Sequence, residues 1–579
     1  MTNKSSRFKE VSNVIHEVVE RIGNDKENLL EVLTELEDFP DGLSNKNLFQ
    51  ASRILGIPES QAYGVKSFYS MLGTDPRGNI LRVCDGPVCW LKRATEGYEN
   101  SSDVLASAKT KVPENWVVER TSCLGLCDQA PAVLANMEQA GPTTIDEIAD
   151  ACQGWNGVPR DYSNPRDGEV RVMLEQTGKL DPDDIQTALK AGAYKGLAAA
   201  LKLLPSEVID IVEASELQGR GGAGFPVGRK WRFVLLAKQF PKYMIANADE
   251  SEPLIFKDRI LMDSNPHQLL EGMAIGGYAC GANEGFIYIR GEYEKQALRL
   301  ERAISQAETL GWLGENIQAS GFSFKIHIHR GAGAYICGEE TALIESMEGL
   351  RGEPRLRPPY PPTFGFRGRP TAVNNVESFS AIPKVLSNGV AWWKNLSKYS
   401  IPGTKIYMVL GHVKKPGLFE APFGITLRQI IEDFGGGLLD GSSFKFALTG
   451  GAAGTFVDSS KLDVPLDFSS SQKGISLGAG AFLICDERVK PIALLRELLH
   501  FFAVESCGKC TPCRVGTWRA YELLKLMAAG DLSRNYLDEL KAISRNLELA
   551  SFCGLGQSVS IPINSALALY EMELAEKGR

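Results

Sequence analysis

Apolar and polar residues alternate along the chain in patterns that divide it into helical and mixed segments. Residues 1–75 carry apolar residues at spacings of three and four, as in VIHEVVERI and LLEVLTELEDF, which predicts helices. Two strand-like runs follow, LRVCDGPVCW and NWVVERTSC, and together with the helical residues around them they predict a small α/β module over residues 76–155. Residues 156–180 are rich in Gly, Pro and Asp, and we interpret them as a linker.

The rest of the chain predicts three further units. Residues 181–395 alternate helical segments with strand-like runs such as KYMIANAD and FKIHIHRG, which indicates an α/β domain with glycine-rich turns. In residues 396–490, strand-like runs surround the helical run LRQIIEDF and predict a small mixed domain of strands and helix. Residues 491–579 have mainly helical patterns and predict a bundle. The fold class is therefore multidomain α/β.

Length and charge narrow the range of functions. A chain of 579 residues is long enough for roughly three or four domains. The net charge of −8 argues against a broad nucleic-acid surface. No stretch approaches the roughly 20 apolar residues of a membrane helix, and the first 20 residues lack the apolar core of a signal peptide. We therefore expect a cytoplasmic protein with no direct membrane insertion.

Eight of the twelve cysteines fall in two groups of four, one near each end of the chain. Disulfides are rare in a reducing compartment, so grouped cysteines indicate metal or redox chemistry. We interpret the four scattered cysteines as small buried hydrophobic residues: Cys152, Cys280, Cys337 and Cys485.

The C-terminal group has the more specific pattern. Cys507, Cys510 and Cys513 form a C-x₂-C-x₂-C run, and Cys553 follows in SFCGLG. Three thiolates at this spacing can bind three corners of a [4Fe–4S] cluster, with the fourth supplied from elsewhere in the fold. Zinc is the alternative, although structural zinc sites more often use two separated C-x₂-C pairs.

The N-terminal group consists of two pairs, Cys84 with Cys89 and Cys123 with Cys127. Two pairs on two loops suit a [2Fe–2S] cluster in which each pair holds one iron. Zinc and free thiols are the alternatives.

A glycine-rich loop, GRGGAGFPVGRKW, begins at Gly219 and formally matches G-x-G-x-x-G. The dinucleotide-binding fingerprint requires a strand before this loop, whereas PSEVIDIVEASELQ has helical periodicity. What remains is a loop whose backbone can approach a flat or phosphorylated ligand, with positive charge from Arg220, Arg229 and Lys230. A plain flexible loop is the alternative.

Three more segments carry candidate binding residues. The acidic run NADESEP follows a predicted strand and could accept hydrogen bonds from a flavin or its ribityl chain, although a solvated loop is the alternative. The turn RGAGAYICGEET leads into a predicted helix, whose N-terminus favours phosphate. The pair Asn374–Asn375 lies at another entry from a loop into a helix.

Together these motifs resemble the NADH-binding flavoprotein subunit of respiratory complex I, from about residue 185 to the C-terminus. The segments that carry the resemblance are GRGGAGFPVGRKW, NADESEP, FKDR, GAGAYICGEETALIES, AVNNVE and ESCGKCTPCR with SFCGLG. Residues 10–150 are similar to the 24-kDa-type [2Fe–2S] subunit of the same complex, through YGVKSFYSM, the C-x₄-C pair and CLGLCDQAP.

Both modules are fused in one chain. This arrangement resembles the diaphorase flavoprotein subunit of NAD-reducing [NiFe]-hydrogenases, and next the fused β subunit of NAD-dependent formate dehydrogenases. A fused NADH-binding subunit of complex I is a third interpretation. A zinc-stabilised nucleotide-binding scaffold without turnover is a remote alternative, which would be colourless, whereas an iron–sulfur flavoprotein is brown and yellow.

The resemblance implies which residues bind the cofactors. The residues placed around FMN and the dinucleotide are Gly219, Arg220, Gly221, Gly222 and Lys230. Two aromatic residues would stack on the adenine side of NAD: Phe225 and Phe233. Contacts to FMN or the nicotinamide would come from Asn247, Asp249, Glu250 and Ser251.

The third glycine-rich turn and the paired asparagines complete the implied pocket. The turn would line the flavin with Tyr335, Gly338, Glu339 and Glu340. Glu340 would lie near the nicotinamide and is the residue assigned to the catalytic step, as a positioning group. Asn374 and Asn375 would hold FMN.

The resemblance also implies the fold and the electron path. It predicts a thioredoxin-like [2Fe–2S] module, a Rossmann-like FMN and NAD domain, a β-grasp (SLBB-like) domain and a bundle with [4Fe–4S]. NADH gives two electrons as hydride and a cluster accepts one, so the flavin must lie between them. The expected enzyme is an oxidoreductase that passes electrons to a small iron–sulfur subunit and a catalytic [NiFe]-hydrogenase module.

The chain departs from the family pattern at two places. After NADESEP the family has Gly-x before FKDR, and this chain has Leu254 and Ile255. The family's lysine before a Pro-Pro pair is Arg357 here, and its following aromatic residue is Tyr360. The first change predicts an altered loop or substrate contact beside the pocket.

Overall fold

The computed structural model describes residues 14–37, 42–73, 78–98, 101–399, 401–529 and 534–577. Within the first 75 residues the described part is helical, as the apolar spacing predicts. Its helices after residue 22 are a short 3-10 turn at Lys26–Asn28 followed by Leu29–Leu36, Asn45–Ile54 and Glu59–Lys66. The helical prediction for residues 1–13, 38–41 and 74–75 lies outside the described residues.

A four-stranded mixed sheet follows, with the order β2-β1-β3-β4. Its strands are β1 Asn79–Cys84, β2 Trp116–Thr121, β3 Val133–Ala135 and β4 Glu138–Ala140. β1 pairs parallel with β2 and antiparallel with β3. The helices around it are Pro87–Ala94, Ser101–Lys111 and Ile148–Ala151. Both pairs of N-terminal cysteines lie at the end of this sheet that β1 and β2 reach with their carboxyl ends.

The second sheet is parallel throughout and has the order β7-β6-β5-β8. Its strands are β5 Tyr243–Ala248, β6 Glu284–Ile289, β7 Lys325–Arg330 and β8 Thr371–Asn375. Its helices are Ile185–Lys190, Lys195–Ala200, Pro205–Ala214, Val227–Leu236, Lys257–Ser264, Pro266–Cys280, Glu294–Thr309, Glu340–Met347, Val376–Asn388 and Val390–Asn395. The strand order reverses at β5 and β8, and ligands bind at the carboxyl ends of strands at such a point.

The third sheet has five strands in the order β10-β9-β13-β11-β12. They are β9 Thr404–Gly411, β10 Gly417–Pro422, β11 Phe444–Thr449, β12 Thr455–Val457 and β13 Ala481–Asp486. The predicted helix LRQIIEDF is the α-helical turn Leu427–Gln429 continued by the π-helical turn Ile430–Phe434. The C-terminal bundle consists of Pro491–Val504, Thr511–Ala528, Arg534–Ala550, Gly554–Ser558 and Ser560–Lys577.

The segment 156–180 has no named helix or strand, but it is packed against the third sheet. The amides of Val172 and Leu174 donate to one carboxylate oxygen of Glu420 on β10, at 2.8 and 3.0 Å. Both residues are buried, and they join the large apolar core shared by the second sheet, third sheet and bundle. This segment therefore fixes the third sheet in place.

No helix of the described residues is long and apolar enough to cross a membrane.

Candidate functional site

A cavity of about 560 Å³ lies where the carboxyl ends of β5 and β8 meet the third sheet and the bundle. Its volume is in the range of ordinary cofactor pockets. Ten of the residues assigned from the sequence line it: Gly221, Gly222, Asn247, Asp249, Glu250, Ser251, Tyr335, Gly338, Glu339 and Asn375. The sequence motifs that are far apart along the chain therefore meet at one place.

The glycine loop lies between two helices, Pro205–Ala214 and Val227–Leu236, so the strand of a dinucleotide fingerprint is absent, as its sequence context predicts. Gly222 has φ +116°, a backbone conformation that side chains disfavour. A Cβ on Gly221 would lie 3.4 Å from the Cβ of Asn375. A flat ligand can therefore approach this backbone closely, as the sequence pattern predicts.

Arg220 does not line the cavity. Its side chain is fully buried, lies over the ring of Phe423 at 4.6 Å, and donates from Nη2 to the carbonyl of Thr404 at 3.0 Å. The positive charge of Arg220 therefore lies against the third sheet, whereas the sequence predicted it beside the ligand. The arginine joins the glycine loop to that sheet.

The cation that lines the cavity was not assigned from the sequence. Lys257 begins the helix Lys257–Ser264, and its Nζ lies 2.7 Å from Asp258, 3.0 Å from Asn375 and 3.1 Å from Glu377. The carboxylates of Asp258 and Glu377 raise the pKa of Lys257 although its burial opposes this. The signal was present in the motif FKDR, which places a lysine shortly after three carboxylates. Lys257 and the glycine loop fit a flat, phosphorylated cofactor.

Burial dominates the acidic run. It raises the pKa of Asp249 to about 8, of Glu250 to about 7 and of Glu252 to about 7. Two of these carboxyls have close hydrogen-bond partners: Asp249 accepts from the hydroxyl of Ser251 at 2.8 Å, and Glu250 accepts from the amide of Asp258 at 2.7 Å. At neutral pH Asp249 is therefore mainly protonated, Glu250 and Glu252 are partly protonated, and the cavity becomes more negative as the pH rises.

This gives a pH dependence with a definite sign. Each folded-state pKa lies above the ordinary value of about 4, so these groups favour the folded, cofactor-free protein at low pH. That contribution falls as the pH rises above about 4, where the unfolded carboxyls ionise, and it is fully lost once the pH passes the folded-state pKa values of about 7 and about 8. The new negative charge also repels the phosphate of FMN. We expect the FMN dissociation constant to rise at least about tenfold between about pH 6 and pH 9.

Fluorescence of released FMN measures this constant, and Asp249→Asn should flatten its pH profile. A dissociation constant that does not change over this pH range would contradict the assignment of these carboxyls to the flavin pocket.

The third glycine-rich turn enters the helix Glu340–Met347. Glu339 caps this helix by accepting from the amides of Thr341 and Ala342 at 3.0 and 2.9 Å. Glu340 lies beside the cavity and not in its lining, with its carboxylate 3.3 Å from Lys230 and 3.4 Å from Arg357. Glu340, Lys230 and Arg357 therefore form one cluster of charges.

Other assigned residues also lie outside the lining. Phe225 and Phe233 are 43% and 44% exposed, so their rings are available to an external ligand. Asn374 is the last residue but one of β8 and accepts from the indole of Trp231 at 3.0 Å, a structural contact. The asparagine pair thus lies at the end of a strand, where the sequence pattern had predicted a loop.

The sequence motifs include little of the half of the cavity that the third sheet and the bundle supply. This half contains Gly450, Gly454, Phe468, Ser476, Gly478, Leu555 and Ser558. The third sheet has no recognisable ligand motif, and SFCGLG, which contains Leu555, indicated only the [4Fe–4S] cluster.

The four C-terminal cysteines surround one small pocket next to this cavity. Ile336 and Leu555 line both the pocket and the cavity, so one layer of side chains separates the two sites. The amide of Phe552 points at Cys510 Sγ at 3.5 Å. Amide donors to thiolates are typical of iron–sulfur sites.

The four N-terminal cysteines also come together. Cys84 ends β1, Cys89 lies on the helix Pro87–Ala94, and Cys123 Sγ lies 3.4 Å from Cys127 Sγ. Among the described residues no group of three or more Cys, His, Asp or Glu side chains is placed to hold a single metal ion. Four thiols that meet at one end of this sheet are the ligand number of a [2Fe–2S] cluster.

Leu254, which stands where the family pattern has glycine, keeps a backbone conformation typical of glycine. Leu254 is buried and has φ +80°, a conformation that glycine adopts freely. Its amide lies 3.3 Å from Cys127 Sγ. The acidic loop of the cavity is thus joined directly to the N-terminal cluster site.

Comparison with known proteins gives four matching family models. They are the Nuo51 FMN-binding domain at residues 212–384, the iron–sulfur binding region of NADH-ubiquinone oxidoreductase-F at 493–577, the thioredoxin-like [2Fe–2S] ferredoxin at 15–155 and the SLBB domain at 406–453. The iron–sulfur and FMN expectations are confirmed, as is the fold class.

Two curated relatives illustrate the breadth of the family. The NADP-reducing hydrogenase subunit HndC of Solidesulfovibrio fructosivorans is 44% identical over 406 residues, which are 70% of this chain and 83% of HndC. An F-type chain of the NADH-quinone oxidoreductase of Rhizobium meliloti is 42% identical over 404 residues, which are 69% of this chain and 96% of that relative.

A solved structure matches nearly the whole chain. A chain of an NAD⁺-reducing [NiFe]-hydrogenase in the air-oxidised state superposes with a TM-score of 0.81 and 31% identity, covering 95% of this chain and 93% of that chain.

Proposed function

Because the chain belongs to the family of NADH-dehydrogenase-type flavoprotein subunits, we propose that it is the diaphorase subunit of an NAD-reducing [NiFe]-hydrogenase. The family assignment makes it an oxidoreductase with FMN, NAD, [4Fe–4S] and [2Fe–2S] as cofactors. The proposal adds the electron source, H₂, and the product, NADH.

One observation carries the proposal. The curated relatives match 70% and 69% of this chain, whereas the solved hydrogenase chain matches 95% of it. The match of that chain extends over the N-terminal cysteine module as well as the flavin module. The same fused arrangement in a chain of a hydrogenase supports a hydrogenase partner over a complex I partner.

The chain's own residues bind and position, and no side chain has to act as general acid or base. FMN, when bound, would supply the conversion between two-electron hydride transfer and single-electron transfer. Lys257 and the loop at Gly221–Gly222 would hold the FMN phosphate, and Asn247 and Asn375 would fix the ring and its ribityl chain. Ile336 and Leu555, which line both sites, would exclude water between the flavin and the [4Fe–4S] cluster.

Glu340 would position the nicotinamide from its place beside Lys230 and Arg357. Phe225 and Phe233 would stack on the adenine from their exposed positions. These roles continue the assignment made from the resemblance, and the observed charge cluster and exposed rings support them.

Four exposed apolar side chains on the helices and loop around the [4Fe–4S] ligands support a partner subunit. We call these residues the patch: Val515, Trp518, Leu549 and Phe552, which are 54%, 43%, 72% and 37% exposed. Val515 lies two residues after Cys513, and Phe552 lines the cluster pocket. Apolar patches of this kind mark protein interfaces. We propose that a small iron–sulfur subunit docks here and receives the electrons.

The patch predicts the effect of one substitution. Val515→Asp should weaken the association with the iron–sulfur subunit by at least about tenfold, because it buries a charge in the interface. Co-purification and titration with the isolated partner measure this affinity. Leu298→Asp is the matched control, since Leu298 is 48% exposed on a helix of the second sheet. Equal loss in both variants would contradict the docking site.

The test of the proposed function is anaerobic isolation of the complex from its native host, followed by metal analysis. Nickel together with NAD⁺ reduction under H₂ is the expected result. Molybdenum or tungsten together with formate-driven NAD⁺ reduction would replace the hydrogenase with a formate dehydrogenase. Zinc alone without flavin colour would overturn the whole account.

A further inference from the structure

A second cavity, of about 760 Å³, lies apart from the flavin cavity. It is bounded by the N-terminal cysteine module, the segment 156–180 and the third sheet, which places it at the junction of three parts of the chain. Cys127, assigned as a ligand of the [2Fe–2S] cluster, lies in its wall. Nothing in the electron path described above uses this cleft.

The lining of the cleft is strongly basic. Six cationic side chains line it: Lys92, Arg160, Arg166, Arg171, Lys414 and Lys415. The two carboxylates of the lining already have hydrogen-bond partners within the protein. Asp128 accepts from Arg259 at 2.7 Å and from the hydroxyl of Tyr162 at 2.9 Å, and Asp161 accepts from Ser163 at 2.8 Å.

Two of the cations are compensated by acidic partners outside the lining. Lys414 pairs with Asp440 at 2.6 Å, and Arg171 pairs with Glu169 at 2.9 Å. A third cation, Arg166, donates to the carbonyls of Lys415 and Pro416, at 2.8 and 3.2 Å, and so supports the wall.

The remaining three cations have no carboxylate partner among the described residues. Arg160 donates to the carbonyl of Asp128, at 2.5 Å. Lys92 and Lys415 have no ion pair within the described part of the chain. Burial, and after it the charge of Arg160, lowers the pKa of Lys92. Like charges that face one cleft repel each other, and a bound anion removes this repulsion.

The shape of the cleft favours a small molecule over a protein surface. The cations come from three sides of a concavity, and the lining also includes an apolar wall of Val158, Pro159 and Pro416. Val158 is 72% exposed, so this wall is open to a ligand. A volume of 760 Å³ is in the usual range for small organic ligands. Several positive charges around an apolar wall suit a ligand with a polyanionic end and an organic end.

We propose that this cleft binds an organic polyphosphate of the nucleoside di- or triphosphate class. Its phosphates would contact Lys92, Arg160 and Lys415, and its organic part would lie against Val158 and Pro416. Because Cys127 is in the same wall, the bound anion makes reduction of the [2Fe–2S] cluster less favourable. The ligand would thereby regulate how many electrons this cluster holds.

Isothermal titration calorimetry of the FMN- and cluster-loaded protein tests binding, in physiological salt and with saturating NAD⁺. The probes are ATP, ADP and inorganic tripolyphosphate. We expect one saturable site that NAD⁺ does not block. Tighter binding of ATP than of tripolyphosphate would show that the apolar wall takes part, and the reverse order would overturn the organic half of the proposal.

Lys92→Gln/Lys415→Gln should weaken binding at least about tenfold, because it removes two charges from the cleft. The matched control is Lys525→Gln/Lys541→Gln, which removes two charges from exposed ion pairs with Glu522 and Glu571. Lys415→Gln alone, at an exposed position, repeats the test if the double variant does not fold.

The second readout is the midpoint potential of the [2Fe–2S] cluster, followed by EPR. Saturating ligand should shift it to a more negative value in the wild type and leave it unchanged in Lys92→Gln/Lys415→Gln. Equal affinity in the variant and the control, competition with NAD⁺, or a partner subunit that covers the cleft in the purified complex would each overturn the proposal.

Discussion

Replacing Cys513 by serine should remove the [4Fe–4S] cluster and stop electron delivery to the partner, while NADH still reduces the flavin. Cys513 is buried in the first turn of the helix Thr511–Ala528, and it shares its pocket with Cys507, Cys510 and Cys553. Loss of a residue that merely supports a metal ligand lowers metal affinity or activity by about 10–100-fold. Loss of the ligand itself should therefore reduce electron transfer to the partner by more than about 100-fold.

Three measurements separate the steps. EPR and iron analysis measure the cluster content, and stopped-flow absorbance measures flavin reduction by NADH. Reduction of the partner by NADH in the assembled complex measures electron delivery. Cys152→Ser is the control, since Cys152 is half-buried and its thiol donates to the carbonyl of Ile148, at 3.7 Å. Unchanged delivery in Cys513→Ser would mean that electrons leave by another route.

The cysteine ligands could be predicted because their signal is local. The C-x₂-C-x₂-C spacing already places three thiols close together, and only Cys553 required knowledge of the fold. The same holds for the acidic run and the glycine turn, because each follows a recognisable strand or helix. Short-range spacing constrains geometry without any tertiary information.

The far half of the flavin cavity could not be predicted for the opposite reason. Gly222 and Gly478 line the same cavity although they lie far apart in the sequence. The third sheet has no ligand motif of its own. Its position depends on contacts such as Glu420 with the segment at Val172 and Arg220 with Phe423. Such long-range contacts cannot be predicted from short sequence patterns.

Arg220 shows how a motif can be interpreted correctly as a loop and wrongly in its side chains. The glycines around it do leave the backbone open to a ligand, but the guanidinium turns to the third sheet and the buried Glu377, at 4.0 Å. The positive charge in the lining of the cavity comes instead from Lys257. A loop sequence determines which backbone is accessible, and the surrounding fold decides where each long side chain finds its partner.

Replacing Lys257 by methionine should empty the flavin site and destabilise the protein. Lys257 lies between Asp258 and Glu377, and all three side chains are at most 3% exposed. Breaking a buried ion pair by removing one partner costs about 3–5 kcal/mol, because the other charge stays buried. The carboxylate of Asp258 would remain in the cavity lining, with that of Glu377 buried behind it, where the FMN phosphate is expected. FMN content should therefore fall by more than about tenfold.

A second lysine separates the loss of stability from the loss of binding. Lys405 is equally buried and lies 3.3 Å from Glu377, but it does not line the cavity. Lys405→Met should therefore destabilise the protein by a comparable amount in urea unfolding and retain FMN better than Lys257→Met. Lys384→Met, which breaks a half-exposed pair with Glu175 at 2.7 Å, should change stability by at most about 1 kcal/mol. If Lys405→Met and Lys257→Met lose FMN to the same extent, Lys257 stabilises the fold and does not contact the phosphate.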